Sequence, residues 1–108
     1  MEALSPYQQL RQVEFTVQGL RPGWEAARPA QKAYDALLRQ VQASQHALRD
    51  YELSVDDARA QARLLPRGIK SIEGVRAGIL KASEFELIGA VQVAHMTAQL
   101  DELIDRLR

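Results

Sequence analysis

The chain has 108 residues, of which 46% are hydrophobic and 26% charged, with 14 basic and 14 acidic side chains and no cysteine. This length supports one hydrophobic core and leaves no room for a second, and the balanced charge projects no long-range field that would gather nucleic acid or an anionic membrane. The lack of cysteine excludes disulfides, thiolate metal sites and a cysteine nucleophile, so a reducing cytoplasm is the simplest home.

Aromatic residues make up only 6% of the chain, so the core must come from Leu, Val, Ile and Ala, which suits helix packing better than sheets. Met1 to Gln12 lacks the basic start and apolar stretch of an export leader, and the roughly eighteen consecutive apolar residues of a membrane span occur nowhere. The expectation is a protein that is neither exported by that route nor membrane-spanning.

The first helix signature is Ser5, Pro6 and Gln8. The serine oxygen can accept from the third backbone N–H, proline fits the first turn, and glutamine can reach back. Tyr7, Leu10, Val13, Val17 and Leu20 follow at helical spacing, although Val13, Phe15 and Val17 also alternate as a short strand would. Helix is the preferred reading. Gly19 to Gly23, with Arg21 and Pro22 between, breaks the pattern, and Trp24 is expected to pack where the chain turns.

A second helix is expected from Pro29 to about Glu52. Tyr34, Leu37, Val41, Ser44, Leu48, Tyr51 and Val55 are spaced 3, 4, 3, 4, 3, 4, the seven-residue period of helices that pack along their length. Ser54 and Asp57 then mark a third helix start, with Leu65, Pro66, Arg67 and Gly68 as its end. A fourth, shorter helix should cover Ser71 to Ala82, directed by Ile69, Ile72, Val75 and Ile79. Gly74 and Gly78 weaken it by about 1 kcal/mol each, so they require a reason, which we take to be close approach of another helix backbone.

Ser83 and Glu86 repeat the capping pattern and open a last helix running to Leu107. Its first half, from Phe85 to Met96, is apolar nearly all round and should be the central buried element. Its second half narrows to Met96, Leu100, Leu103, Ile104 and Leu107. The expected fold is therefore an all-α compact bundle of four to five helices in a single helical domain, 1–108. The two seams (Tyr34, Leu37, Val41, Leu48, Tyr51 and Met96, Leu100, Leu103, Leu107) pack either within one chain or across a twofold axis.

Few residues suggest chemistry. His46 and His95 lack a second ligand at metal-binding helical spacing. His95 lies among Val91, Ala94 and Ala98 and reads as a core histidine, while His46 reads as solvated. Asp56 and Asp57, and Asp101 and Glu102, are neighbours that point apart on a helix. The serines read mostly as caps. No catalytic group, cofactor or metal is expected.

The charge pattern is more informative. From Asp56 to Lys81 there are six basic residues (Arg59, Arg63, Arg67, Lys70, Arg76, Lys81) against three acidic, a local balance of +3, and from Glu84 onward five acidic against two basic, a balance of −3. Arg59, Arg63 and Arg67 step by four along one face, as a phosphate-binding edge would, and the stretch 54–82 has a helix-turn-helix outline. Against this, the expected recognition helix holds two glycines and the turn a proline.

The sequence thus points first to a non-enzymatic helical protein–protein interaction protein, an adaptor, assembly factor or regulator acting as a homodimer. The alternative is a small nucleic-acid-binding transcriptional regulator using Arg59, Arg63, Arg67, Lys70 and Arg76 on nucleic acid or an acidic partner.

Overall fold

The computed structural model describes residues 4–108; the first three residues of the Met1–Gln12 stretch considered for a leader lie outside them. The described residues form four helices and no strand: α1 (Pro6–Gln18), α2 (Arg28–Leu53), α3 (Ala58–Ser83) and α4 (Ala90–Leu107). No helix among them is long and apolar enough to cross a membrane.

The capping box opens α1 as read: Ser5 Oγ accepts from Gln8 N at 3.2 Å and Gln8 Oε1 accepts from Ser5 N at 3.0 Å. Leu10, Val13 and Val17 are buried and Phe15 is turned out to solvent, so the strand-like alternation of Val13, Phe15 and Val17 is not used. The Gly19 to Gly23 break connects α1 to α2, but no described glycine has a positive φ. Trp24 does not pack at the turn, being 91% exposed. The loop is held by its backbone instead, through Gln31 Nε2 donating to the carbonyls of Trp24 at 3.2 Å and Ala26 at 3.0 Å.

Along α2 the heptad seam is realised: Tyr34, Leu37, Val41, Ser44 and Leu48 are buried and Tyr51 half-buried. Val55 falls beyond the helix and is exposed. Ser54 closes α2, its Oγ donating to Asp50 O at 2.8 Å, and Asp57 caps the next helix by accepting from Ala60 N at 3.1 Å.

The expected third and fourth helices are a single 26-residue helix, α3, with Pro66 inside it. An interior proline costs about 3 kcal/mol and a glycine about 1 kcal/mol. Here a continuous stripe, Gly68, Ile72, Val75, Ile79 and Ala82, is buried along one face, and fully burying one large aliphatic side chain contributes about 1.5–3 kcal/mol. Pro66 and Ala62, the residues whose mutual backbone bond is lost, both lie on the exposed side. Packing therefore outweighs the local breakers, and Ser71 lies in mid-helix rather than at a cap.

The three glycines of α3 face α2. A Cβ at Gly68 would stand 3.0 Å from Leu48 Cδ2, at Gly74 2.6 Å from Gln40 Nε2, and at Gly78 3.1 Å from Leu37 Cδ1. The close backbone approach inferred from Gly74 and Gly78 is found at Gly78, whose Cβ position lies 3.8 Å from Leu37 Cα, whereas Gly74 and Gly68 make room for the side chains of Gln40 and Leu48.

Ser83 and Glu86 do not cap a helix. Ser83 Oγ donates to Leu80 O at 2.6 Å, and Glu86 is left-handed, with φ 61°. Glu86 N donates to Ser83 O at 3.1 Å and Leu87 N to Ala82 O at 3.4 Å, the Schellman pattern that ends a helix, with glutamate where glycine is usual. The last helix accordingly starts at Ala90, has 18 residues, and buries only Met96, Leu100, Leu103, Ile104 and Leu107. The expected long buried helix over Phe85 to Leu107 is thus found in part: the Met96 to Leu107 stripe is buried, but 85–89 is not helical and Val91, Ala94 and His95 lie in solvent. The two 26-residue helices, α2 and α3, hold the centre.

The chain runs up, down, up, down. Tyr7 N reaches Glu52 Oε1 at 3.3 Å, Gly68 lies by Leu48 and Gly78 by Leu37, and Arg76 pairs with Asp101 while Glu73 lies 4.0 Å from Arg108, so each helix is antiparallel to the one before it. Neighbours are α1 with α2, α2 with α3, α3 with α4, and α4 with α1, which closes the ring; α2 and α4 sit diagonally. One continuous buried cluster draws on all four helices.

Candidate interaction surfaces

The two seams are enclosed by this chain's own core. Tyr34, Leu37, Val41 and Leu48 from α2, and Met96, Leu100, Leu103 and Leu107 from α4, belong to one buried cluster, against which Tyr51 packs. They are spent on folding the monomer.

The basic row divides. Arg59, Arg63, Arg67 and Lys70 are exposed along the uninterrupted α3, where residues four apart stand about 6 Å from one another along the axis. Arg76 is drawn away to α4, where its Nε donates to Asp101 Oδ1 at 3.0 Å. The turn needed for a helix-turn-helix outline over 54–82 is absent, because 66–68 is helical.

His95 is not in the core. It sits on the exposed side of α4, whose buried stripe passes through Met96 and Leu100 instead; its apolar neighbours Val91, Ala94 and Ala98 face solvent with it. His46 is exposed as expected. Asp57 serves as a cap and Asp101 as an ion-pair partner. No group of three or more His, Asp or Glu side chains is arranged to hold a metal among the described residues.

Of the serines, Ser5 caps a helix, whereas Ser44 and Ser71 form a polar link that the spacing did not reveal. Ser44 is fully buried, donates to Gln40 O at 2.9 Å and lies 2.9 Å from Ser71 Oγ. Gln40 Nε2 completes the link by donating to Ser71 O. Both serine hydroxyls have partners, so the link orients α2 on α3.

The antiparallel order brings the 19–27 and 84–89 connections to the same end of the bundle. That end displays Trp24, 91% exposed, and Val91, 86% exposed, with Phe15 at 79% on the last part of α1. Beside Trp24 is a surface hollow of about 310 Å³ lined by Arg21, Gln31, Tyr34 and Asp35. The opposite end displays Leu53 and Val55 at the α2–α3 turn. Phe15 falls off the buried stripe of α1, so periodicity flags it as an apolar residue on a wet face, whereas Val55 continues the seam spacing but lies beyond α2, and Trp24 lies in a loop where no period applies.

No protein-family model matches the chain, and neither a curated protein nor a solved structure matches it.

Proposed function

We propose that the protein is a non-enzymatic helical interaction protein, an adaptor, assembly factor or regulator of a reducing cytoplasm, which binds a second copy of itself through the loop end of the bundle. The observation that carries this reading is Trp24, 91% exposed on a loop anchored by Gln31, with Val91 displayed at the same end. Single exposed leucines are ordinary on protein surfaces. Tryptophan, by contrast, is enriched among the few residues that dominate binding energy, and an anchored backbone lowers the ordering cost of using it. Because the Tyr34 to Tyr51 and Met96 to Leu107 seams are buried within the chain, a dimer has to use a surface of this kind.

Trp24 is the only tryptophan, so its fluorescence reports directly on this surface. Sedimentation equilibrium should show a dimer growing with concentration, with a parallel blue shift of the emission, and Trp24→Ala, which removes the fluorophore, should abolish the dimer in sedimentation without changing the unfolding midpoint of the dilute monomer. A monomer that persists at high concentration with unchanged emission would remove the self-association reading.

A second reading is favoured by the exposed row Arg59, Arg63, Arg67 and Lys70, which could grip an acidic partner or nucleic-acid phosphates. Polarization titrations with DNA and RNA should then weaken with salt at a slope of about −0.9 per neutralised phosphate, and the triple change of Arg59, Arg63 and Arg67 to Ala should abolish binding while leaving the fold intact.

A further inference from the structure

On the outer side of the α2–α3 pair, away from the core, the glycine crossing leaves an open groove of about 460 Å³. Its floor is mainly apolar, built from Ala33, Ala36 and Leu37 on α2 and Gly78 on α3, with Pro29 and Phe85 toward the loop end and the Gln40 amide set against Gly74 at the other end. From Pro29 to Gln40 the groove follows α2 for eleven residues, about 16 Å of helix.

Charge distinguishes this groove from the rest of the surface. Gly78 faces Leu37 and Gly74 faces Gln40, so the antiparallel register brings Lys81 to the level of the first turns of α2, where Lys32 stands on the opposite bank. Both lysines line the groove and no carboxylate does. The start of α2 has no acidic residue in its first turn and no side-chain cap at Ala27, so no side chain of that turn repels an anion there. Two like charges across an apolar trough are complementary to an anion attached to an apolar body.

We propose that this groove binds an anionic single-chain amphiphile, a fatty-acid-like carboxylate whose chain lies over Ala33, Ala36, Gly74 and Gly78 and whose head sits between Lys32 and Lys81. The volume falls within the roughly 300–1,000 Å³ of small-molecule sites. Only ten residues line the groove, against roughly 20–30 a side in a stable protein interface. The site is separate from the Trp24 surface, and its fate does not depend on the interaction reading above.

The test is a titration of the whole ¹⁵N-labelled protein with sodium decanoate below its micelle-forming concentration, followed by amide shifts. Saturable shifts centred on Ala33, Ala36, Gly74 and Gly78 are expected. Affinity should fall at least about tenfold in the double variant Lys32→Gln, Lys81→Gln, which removes both charge-assisted partners of the carboxylate. Ala36 is exposed, so Ala36→Trp should fill the trough and block binding while circular dichroism stays unchanged. The proposal is overturned by no saturable binding, shifts centred elsewhere, equal binding of decyltrimethylammonium, undiminished affinity in the lysine double variant, or binding retained in Ala36→Trp. If the same amides move with protein concentration alone, the groove is an interface between copies and the amphiphile is excluded.

Discussion

Glu86 shows how a single residue can sit against its own preference because its surroundings require it. Its φ of 61° lies in the left-handed region, which costs an L-residue roughly 1–2 kcal/mol, and it occupies the position where a Schellman ending favours glycine. Glu86→Gly should therefore stabilise the protein by about 1 kcal/mol, read as a higher urea midpoint with unchanged slope. Ser44 represents the opposite case, a buried polar residue whose partners are all present. Ser44→Ala takes from the half-buried Ser71 hydroxyl its 2.9 Å partner and leaves it the longer 3.4 Å bond from Gln40 Nε2, and should cost about 1 kcal/mol. A double-mutant cycle with Ser71→Ala should show positive coupling. The heptad spacing placed Ser44 in the seam, but could not show that Ser71, 27 residues on, would meet it, since that contact depends on the register of two helices.

For the helices, the informative case is α3. Pro66 and Gly68 read as a terminator, yet the helix passes through both. Two neighbours explain this: Gly68 is buried where a Cβ would press on Leu48, and Pro66 faces solvent where its missing bond leaves Ala62 O accessible. The two residues should thus respond in opposite directions. Pro66→Ala restores a helix bond and should stabilise by about 1–3 kcal/mol, reduced by the freedom it returns to the unfolded chain. Gly68→Val removes a helix-weakening residue but overpacks the crossing and should destabilise by about 1–3 kcal/mol. Thermal unfolding of the two variants measures both. If Gly68→Val were stabilising, the close approach of α2 and α3 would not be what retains the glycine.

Across the whole molecule, the core is one cluster shared by four helices, so truncation at its centre should be felt globally. Ile72→Ala, at a fully buried position, should cost about 2–5 kcal/mol and lower the protection of amides in all four helices together. Trp24→Ala, on the surface, should leave stability within about 0.5 kcal/mol and act on association alone. That contrast separates residues that make the fold from residues displayed by it. The proposed dimer can draw only on the second kind, because the seams that first suggested pairing are already consumed within the chain.

Much of the architecture is carried by local signals. The helical class, the Ser5 start of α1, the buried stripe of α2 and that of late α4 follow from capping chemistry and from which residues recur each turn, properties a helix has before it meets a partner. Where the chain contains a breaker or a cap, the outcome passes to its neighbours. Continuity through Pro66, the left-handed Glu86 in place of a capping box, the late start of α4 and the solvent-facing Val91, Trp24 and His95 were decided only by assembly. The physical reason is that a local preference of about 1–3 kcal/mol is no larger than the burial of one or two side chains. Which side chains become buried is settled only when the helices dock.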